Sequence, residues 1–193
     1  PKKQVGVLEV DERSSLKVYK YLTPDILICN NIMRDSLKRN AHTEFICYIL
    51  NKQLPSSTKV VLNADDLICS GLFPNNKDRT YFGVSADRPE NGAATDEALR
   101  DIVYCPKCGA KLETEYVRYN HIGRHHCPAC GFASPKPDYD VTEINREKGT
   151  FTVTHNGVDE EYKIVNDNII NIYNSCAVIS VLHTFGLDYE KIH

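Results

Sequence analysis

Short, continuously apolar runs rich in β-branched residues recur along the first half of the chain: VGVLEV (5–10), DILICN (25–30), KVVLNA (59–64) and TYFGVS (80–85). Runs of this length and composition predict strands buried on both faces. Between the first two, SSLKVYKYL (14–22) has the spacing of a short helix with Ser14 or Ser15 as N-cap. Between the second and third, Thr43 can cap TEFICYILNKQL, and Pro55 lies just past its end. Alternating strands and helices predict an α/β fold, a mainly parallel sheet with flanking helices. Residues 86–100 are polar, hold Pro, Gly and Asn, and predict a loop; SPKPDYD (134–140) predicts a linker. TFTVTHNGVDEEYKIV (150–165) predicts a β-hairpin turning at Asn156-Gly157. The apolar stretch IINIYNSCAVISVLHTFGL (169–187) predicts a helix stopped by Gly186.

One segment breaks this alternation. Cys105-Pro-Lys-Cys108-Gly and Cys127-Pro-Ala-Cys130-Gly are two C-x2-C knuckles separated by eighteen residues. A two-residue gap lets a tight turn aim both sulfurs at one point, and the following Gly relieves the backbone. Two such knuckles supply the four thiolates of a closed, structural zinc site, with iron as the competing metal. Two redox pairs or two disulfides are the other readings of the same spacing. Cys29, Cys47, Cys69 and Cys176 are isolated in apolar surroundings and are expected to pack as small core residues. With four Cys available, His121, His125 and His126 are expected at the surface rather than as ligands. Residues 101–135 are thus read as a zinc ribbon inserted in an α/β domain formed by 1–100 and 136–193.

Composition narrows the function classes. The chain has 193 residues, 41% hydrophobic and 25% charged, which suits a packed globular domain. Lys and Arg number 23 against 26 Asp and Glu, a net charge of −3 that gives no overall pull toward nucleic acid. Locally, Lys107, Lys111, Arg118 and Arg124 interleave with Tyr116 and Tyr119, the composition of a nucleic-acid-binding ribbon, although Glu113 and Glu115 dilute it. No run is long enough for a membrane span, and no apolar secretory signal opens the sequence, so a cytoplasmic protein is expected.

Ligands of open parallel sheets bind at the carboxyl ends of the strands. There the chain carries Glu9-Val10-Asp11-Glu12, Asn30-Asn31 with Arg34-Asp35, and Asn63-Ala64-Asp65-Asp66. Carboxylates on one rim suit magnesium carrying substrate phosphates. The same residue types also cap helices and build turns at such places, and spacing alone does not separate the two roles.

GVLEVDE, PDILICNNIMRDSLKR, VVLNADD, the paired CPKCG and CPACG knuckles and NIYNSCAVISVLHTFGL occur in one order. Together they resemble the central domain of Mur-type peptide ligases, specifically the MurT family, whose central domain carries a four-Cys zinc ribbon. The resemblance covers nearly the whole chain. It implies a P-loop-like fold, ATP and magnesium as well as zinc, a GatD-type glutaminase partner, and amidation of D-glutamate in the lipid II stem peptide to D-isoglutamine. It further implies that Glu9 holds magnesium, that Asn171 and Asn174 meet the adenine, and that Asp65 sits at the rim of the nucleotide site. A zinc-ribbon nucleic-acid module or a non-catalytic interaction subunit on the same scaffold is the alternative.

Two departures qualify the resemblance. The family's phosphate-binding loop should precede residue 5 and its closing domain should follow His193. Neither is in this sequence, so a fragment without its own catalytic residues, inactive alone, is expected. Ser36 and Lys38 stand where the family has Gln and Asp, which bears on a second magnesium and on the acceptor.

Overall fold

The structure, a computed structural model, describes residues 4–33, 42–89 and 101–192. Its centre is a six-stranded sheet. Four strands run parallel: β1 (Ile26–Cys29), β2 (Lys59–Asn63), β3 (Arg79–Val84) and β6 (Tyr139–Asn145). Two antiparallel strands, β7 (Thr150–His155) and β8 (Val158–Lys163), extend the sheet beyond β6 in the order β1-β2-β3-β6-β7-β8. The intervening β4 (Glu113–Tyr119) and β5 (Ile122–His126) form a separate antiparallel ribbon between β3 and β6 in the chain.

The sheet is covered on both faces, and the period-two geometry of β2 shows how. Val60 and Leu62 join one core with Ile46 and Leu50 of α2 (Thr43–Gln53) and Cys69 of α3 (Leu67–Ser70). Val61, one residue out of phase, joins the other core with Phe82, Val84 and Val141 and with Ile172, Tyr173, Cys176 and Ile179 of α4 (Ile169–Thr184). The strand is apolar at successive positions because both faces are buried. At the start of α4, Asn168 accepts from the Ile170 N–H at 2.9 Å. At its end Gly186 takes φ 72°, and the Gly186 and Leu187 N–H groups return to the His183 and Leu182 carbonyls. The Asn156-Gly157 turn joins β7 to β8 with both residues at positive φ, as a type I′ hairpin requires.

Several local expectations are corrected. VGVLEV joins no strand: residues 4–10 lie outside every helix and ladder, and Val7 is 91% exposed. A strand pattern becomes a strand only when a neighbour supplies the ladder, and none does among the described residues. The first helix shrinks to α1 (Ser15–Val18); Ser14 holds the N-cap position, as expected, but its side chain makes no capping bond. Instead the Asp11 carboxylate accepts from the Arg13 and Ser14 N–H groups. Thr43 is the first helical residue of α2 rather than its cap, which is His42, with no side-chain bond. Tyr139 and Asp140, expected in a linker, begin β6, where a bulge between Val141 and Glu143 breaks the alternation that would have marked a strand. Of the isolated cysteines, Cys29, Cys69 and Cys176 are buried, and Cys47 is half-buried. Arg34, Asp35, Ser36, Lys38 and residues 90–100 lie outside the described residues.

Leu62 is fully buried in the core under α2 and α3. Truncation to Leu62→Ala is expected to cost ~2–5 kcal/mol in denaturant unfolding. A loss below ~1 kcal/mol would contradict this placement.

Candidate functional site

The four ribbon cysteines converge. Their sulfurs lie within 4.8 Å of one another, with Cys105–Cys130 at 3.6 Å and Cys108–Cys127 at 3.5 Å. A tetrahedron with metal–sulfur bonds of about 2.3 Å places its sulfurs roughly 3.8 Å apart, so the donor set fits one zinc ion. Each knuckle is closed by the same backbone device. The Gly109 N–H returns to the Cys105 carbonyl and Gly131 to Cys127, with both glycines at positive φ. All eight cysteines are free thiols. Burial opposes ionisation of Cys127, but the Cys130 and Ala129 N–H groups and the neighbouring thiols bring it to about 7. Among the described residues this is the one His, Cys, Asp and Glu group close enough to share an ion. None of the three His belongs to it.

The ribbon is seated across the carboxyl ends of β2 and β3. The Asp65 carboxylate is 1% exposed and accepts from Arg124 Nη1 at 3.2 Å, the Tyr173 hydroxyl at 2.6 Å and the Val84 N–H at 3.0 Å. Its backbone carbonyl accepts from the Gly123 N–H at 2.7 Å. Asp66 is completely buried; it caps α3 through the Ile68 and Cys69 N–H groups and accepts from the Ile32 N–H at 2.7 Å. His121, at the ribbon's tip, places Nε2 3.1 Å from Asp66 and Nδ1 3.4 Å from Asp101. On the neighbouring strand end, Arg118 donates to the carbonyls of Val84, Ala86 and Asp87, and the Tyr116 hydroxyl donates to Val84.

This seat corrects two expectations. His121 and His125 are buried, not at the surface: His121 bridges two carboxylates, and His125 bonds Thr114 and the His121 carbonyl. Arg118 and Arg124 face the sheet and Tyr116 is buried, so these residues do not form an outward basic, aromatic face. Their residue types were legible in the sequence, but their direction depends on where the ribbon docks.

The other candidates lie around the same rim. Asn171 and Asn174, both half-buried, lie one turn apart near the start of α4, and the Asn174 side-chain oxygen accepts from Asn30 Nδ2 at 3.0 Å. The Asn63 side chain links the Asn30 carbonyl to the Asp65 N–H. The buried Oδ1 of Asn30 has no hydrogen-bond partner, leaving an acceptor at this edge. Glu9 is exposed on the 4–10 segment. Asn30 is the addition that strand-end position had flagged only as a type. Asp65 is occupied by protein donors.

Burial alone would depress the His121 pKa, but hydrogen bonding and attraction from Asp66, then Asp101, raise it above the ordinary 6.5. A histidine raised in the folded state stabilises most below its unfolded pKa, and that stability is lost as pH rises through the folded value. The melting-temperature gap between the native protein and His121→Gln should therefore narrow as the pH is raised above the ordinary histidine pKa of about 6.5. A gap that widens contradicts the charged bridge. At Gly123 an added Cβ would meet the Tyr116 carbonyl oxygen at 2.0 Å. Gly123→Ala should therefore cost about 3 kcal/mol or more in denaturant unfolding, and a neutral substitution would contradict the close approach.

Known proteins resemble this chain in sequence and fold. The chain is 31% identical over 193 residues to the lipid II isoglutaminyl synthase (glutamine-hydrolyzing) subunit MurT of Staphylococcus aureus (strain COL), covering all of this chain and 43% of that protein. It is 28% identical over 197 residues to the MurT subunit of Streptococcus pneumoniae (strain ATCC BAA-255 / R6), covering 98% of this chain and 42% of that protein. The chain thus spans less than half the length of these relatives. Among solved structures, a pseudomurein peptide ligase type C from Methanothermus fervidus superposes with a TM-score of 0.72 and 25% identity, over 94% of this chain and 34% of that one. MurF from Acinetobacter baumannii shares the fold, with a TM-score of 0.53 and 13% identity over 93% of this chain and 30% of that one. No protein-family model matches the chain. With a mostly parallel sheet, a four-Cys ribbon and 31% identity to MurT along its full length, the chain is similar to the MurT family of Mur-type ligases.

Proposed function

We propose that the chain is the central part of an ATP-dependent ligase subunit that amidates D-glutamate in the lipid II stem peptide, with ammonia delivered by a GatD-type glutaminase subunit. The observation that carries this reading is the 31% identity to MurT along the entire chain. In this reading residues 101–135 are the inserted zinc ribbon, and 1–100 with 136–193 form the α/β domain. No helix among the described residues is long and apolar enough to cross a membrane, and the proposed location is cytoplasmic.

The reaction couples two displacements. A substrate carboxylate oxygen attacks the γ-phosphorus of ATP, ADP leaves, and an acyl phosphate forms. Ammonia then attacks the acyl carbon and phosphate departs, leaving a carboxamide and releasing a proton. Magnesium, when bound, neutralises phosphate charge during both steps. This chain's contribution is binding and orientation. Asn171 and Asn174 would present their amides to the adenine, with the unpartnered Asn30 oxygen beside them. Glu9, an exposed carboxylate, would hold magnesium, which commonly needs only one or two protein carboxylates beside phosphates. Asp65 would keep the rim in shape from beneath. Zinc, held by Cys105, Cys108, Cys127 and Cys130, would be structural, since four thiolates leave it no open position.

The similarity to a pseudomurein peptide ligase favours one second reading, in which an amino-acid amine rather than ammonia attacks the acyl phosphate. The full-length protein with its glutaminase partner, ATP, glutamine and lipid II should yield ADP and a product whose carboxyl has become a carboxamide by mass spectrometry. Incorporation of an added amino acid instead would establish the second reading, and ADP formation with neither acceptor would contradict both. Asn174→Ala in that complex should raise the ATP KM roughly three- to tenfold, the loss of about one hydrogen bond. An unchanged KM removes Asn174 from the nucleotide site. Metal analysis of the purified protein should return about one zinc per chain; iron, or no metal, would contradict the structural assignment.

A further inference from the structure

A continuous set of buried contacts runs from the ribbon to the first turns of α4, and the proposed chemistry does not itself use it. Arg124 of β5 and Tyr173 of α4 grip opposite oxygens of one carboxylate, that of Asp65, at 3.2 and 2.6 Å. The Gly123 N–H fixes the Asp65 carbonyl from the ribbon side, and the Asn63 side chain fixes its N–H from the strand side. Tyr173 lies between Asn171 and Asn174 in sequence and is itself buried, while Asn174 reaches the rim through Asn30. Asp65 and Tyr173 are buried, so water does not readily replace a partner lost from either. A shift of the ribbon therefore either strands a buried charge, which is costly, or carries the start of α4 with it.

The geometry points to Arg124 and Tyr173 as positioning residues: through Asp65 the closed ribbon sets the α4 turn that bears Asn171 and Asn174, coupling metal in the ribbon to nucleotide at the rim. This rests on the reading above that the ribbon holds zinc and the rim takes ATP. The ribbon is then part of the ligase's nucleotide machinery, although its metal touches no substrate. Coupling between two binding equilibria is reciprocal, so nucleotide must tighten zinc by the factor by which zinc tightens nucleotide.

The test is zinc retention by the full-length protein with its glutaminase partner, measured against a chromophoric chelator with and without a non-hydrolysable ATP analogue. The analogue should raise zinc affinity about fivefold or more in the native protein. In Tyr173→Phe that factor should fall to about one, with zinc affinity in the absence of nucleotide nearly unchanged. Arg124→Lys, which keeps the charge but loses the planar fork, should give an intermediate factor and serves if the first variant does not fold. An equal factor in native protein and variants overturns the inference. So does a native factor of one when both ligands demonstrably bind, and in that case the proposed function stands. Failure of the native protein to bind zinc or nucleotide at all overturns that function and this inference together.

Discussion

Two adjacent carboxylates, Asp65 and Asp66, are buried at the carboxyl end of β2, and the ribbon, α3, α4 and the segment after β1 converge on them. Asp65 takes Arg124 and Gly123 from the ribbon and Tyr173 from α4. Asp66 takes Ile32 from the segment after β1, caps α3 and meets His121 from the ribbon tip. Burial raises the Asp65 pKa, against the pull of Tyr173, the Val84 N–H and Arg124. A carboxylate in such a place is tolerable only with its donors present. That requirement makes the surrounding arrangement specific. Burying the pair is not a bargain in net stability, but removing any one donor leaves a charge with nowhere to go.

The same constraint explains why a ribbon with only a small core of its own is held firmly. Beneath the knuckles lie Cys105, Leu112 and Cys127 with Leu67 of α3, flanked by the half-buried Ile102, Ala110 and Phe132. Four thiolates around a metal would close the outer end, while the inner end is fixed by the two carboxylates and by Arg118 and Tyr116 on the end of β3. A ribbon anchored at both ends becomes a wall of the rim rather than a mobile appendage. If the proposed reaction holds, such a wall would help shield its acyl phosphate from water.

What the sequence disclosed depended on whether the determining interaction was local. The knuckles were legible because two Cys and a Gly within five residues dictate their own geometry. β2 and β3 were legible from continuous apolar runs, and the β7–β8 hairpin from Asn156-Gly157. β6 was hidden by its bulge, and VGVLEV looked like a strand although it pairs with none of the described residues. Of the candidate site, residue types at the strand ends were visible, yet their partners were not. Nothing local says that His121 bridges Asp66 and Asp101, or that Arg118 and Arg124 face the sheet instead of solvent. Both follow from how the ribbon docks, a contact between residues about 55–60 positions apart in the case of Asp66 with His121 and Asp65 with Arg124.

On this reading the ribbon, the buried carboxylates and the start of α4 move as one mechanical unit. Hydrogen exchange followed by mass spectrometry, on the full-length protein before and after zinc chelation, tests it most directly. Peptides containing 113–126 and 169–176 should lose protection together, while β7 and β8 keep theirs. Loss confined to the ribbon, with the α4 peptide unchanged, would contradict the account.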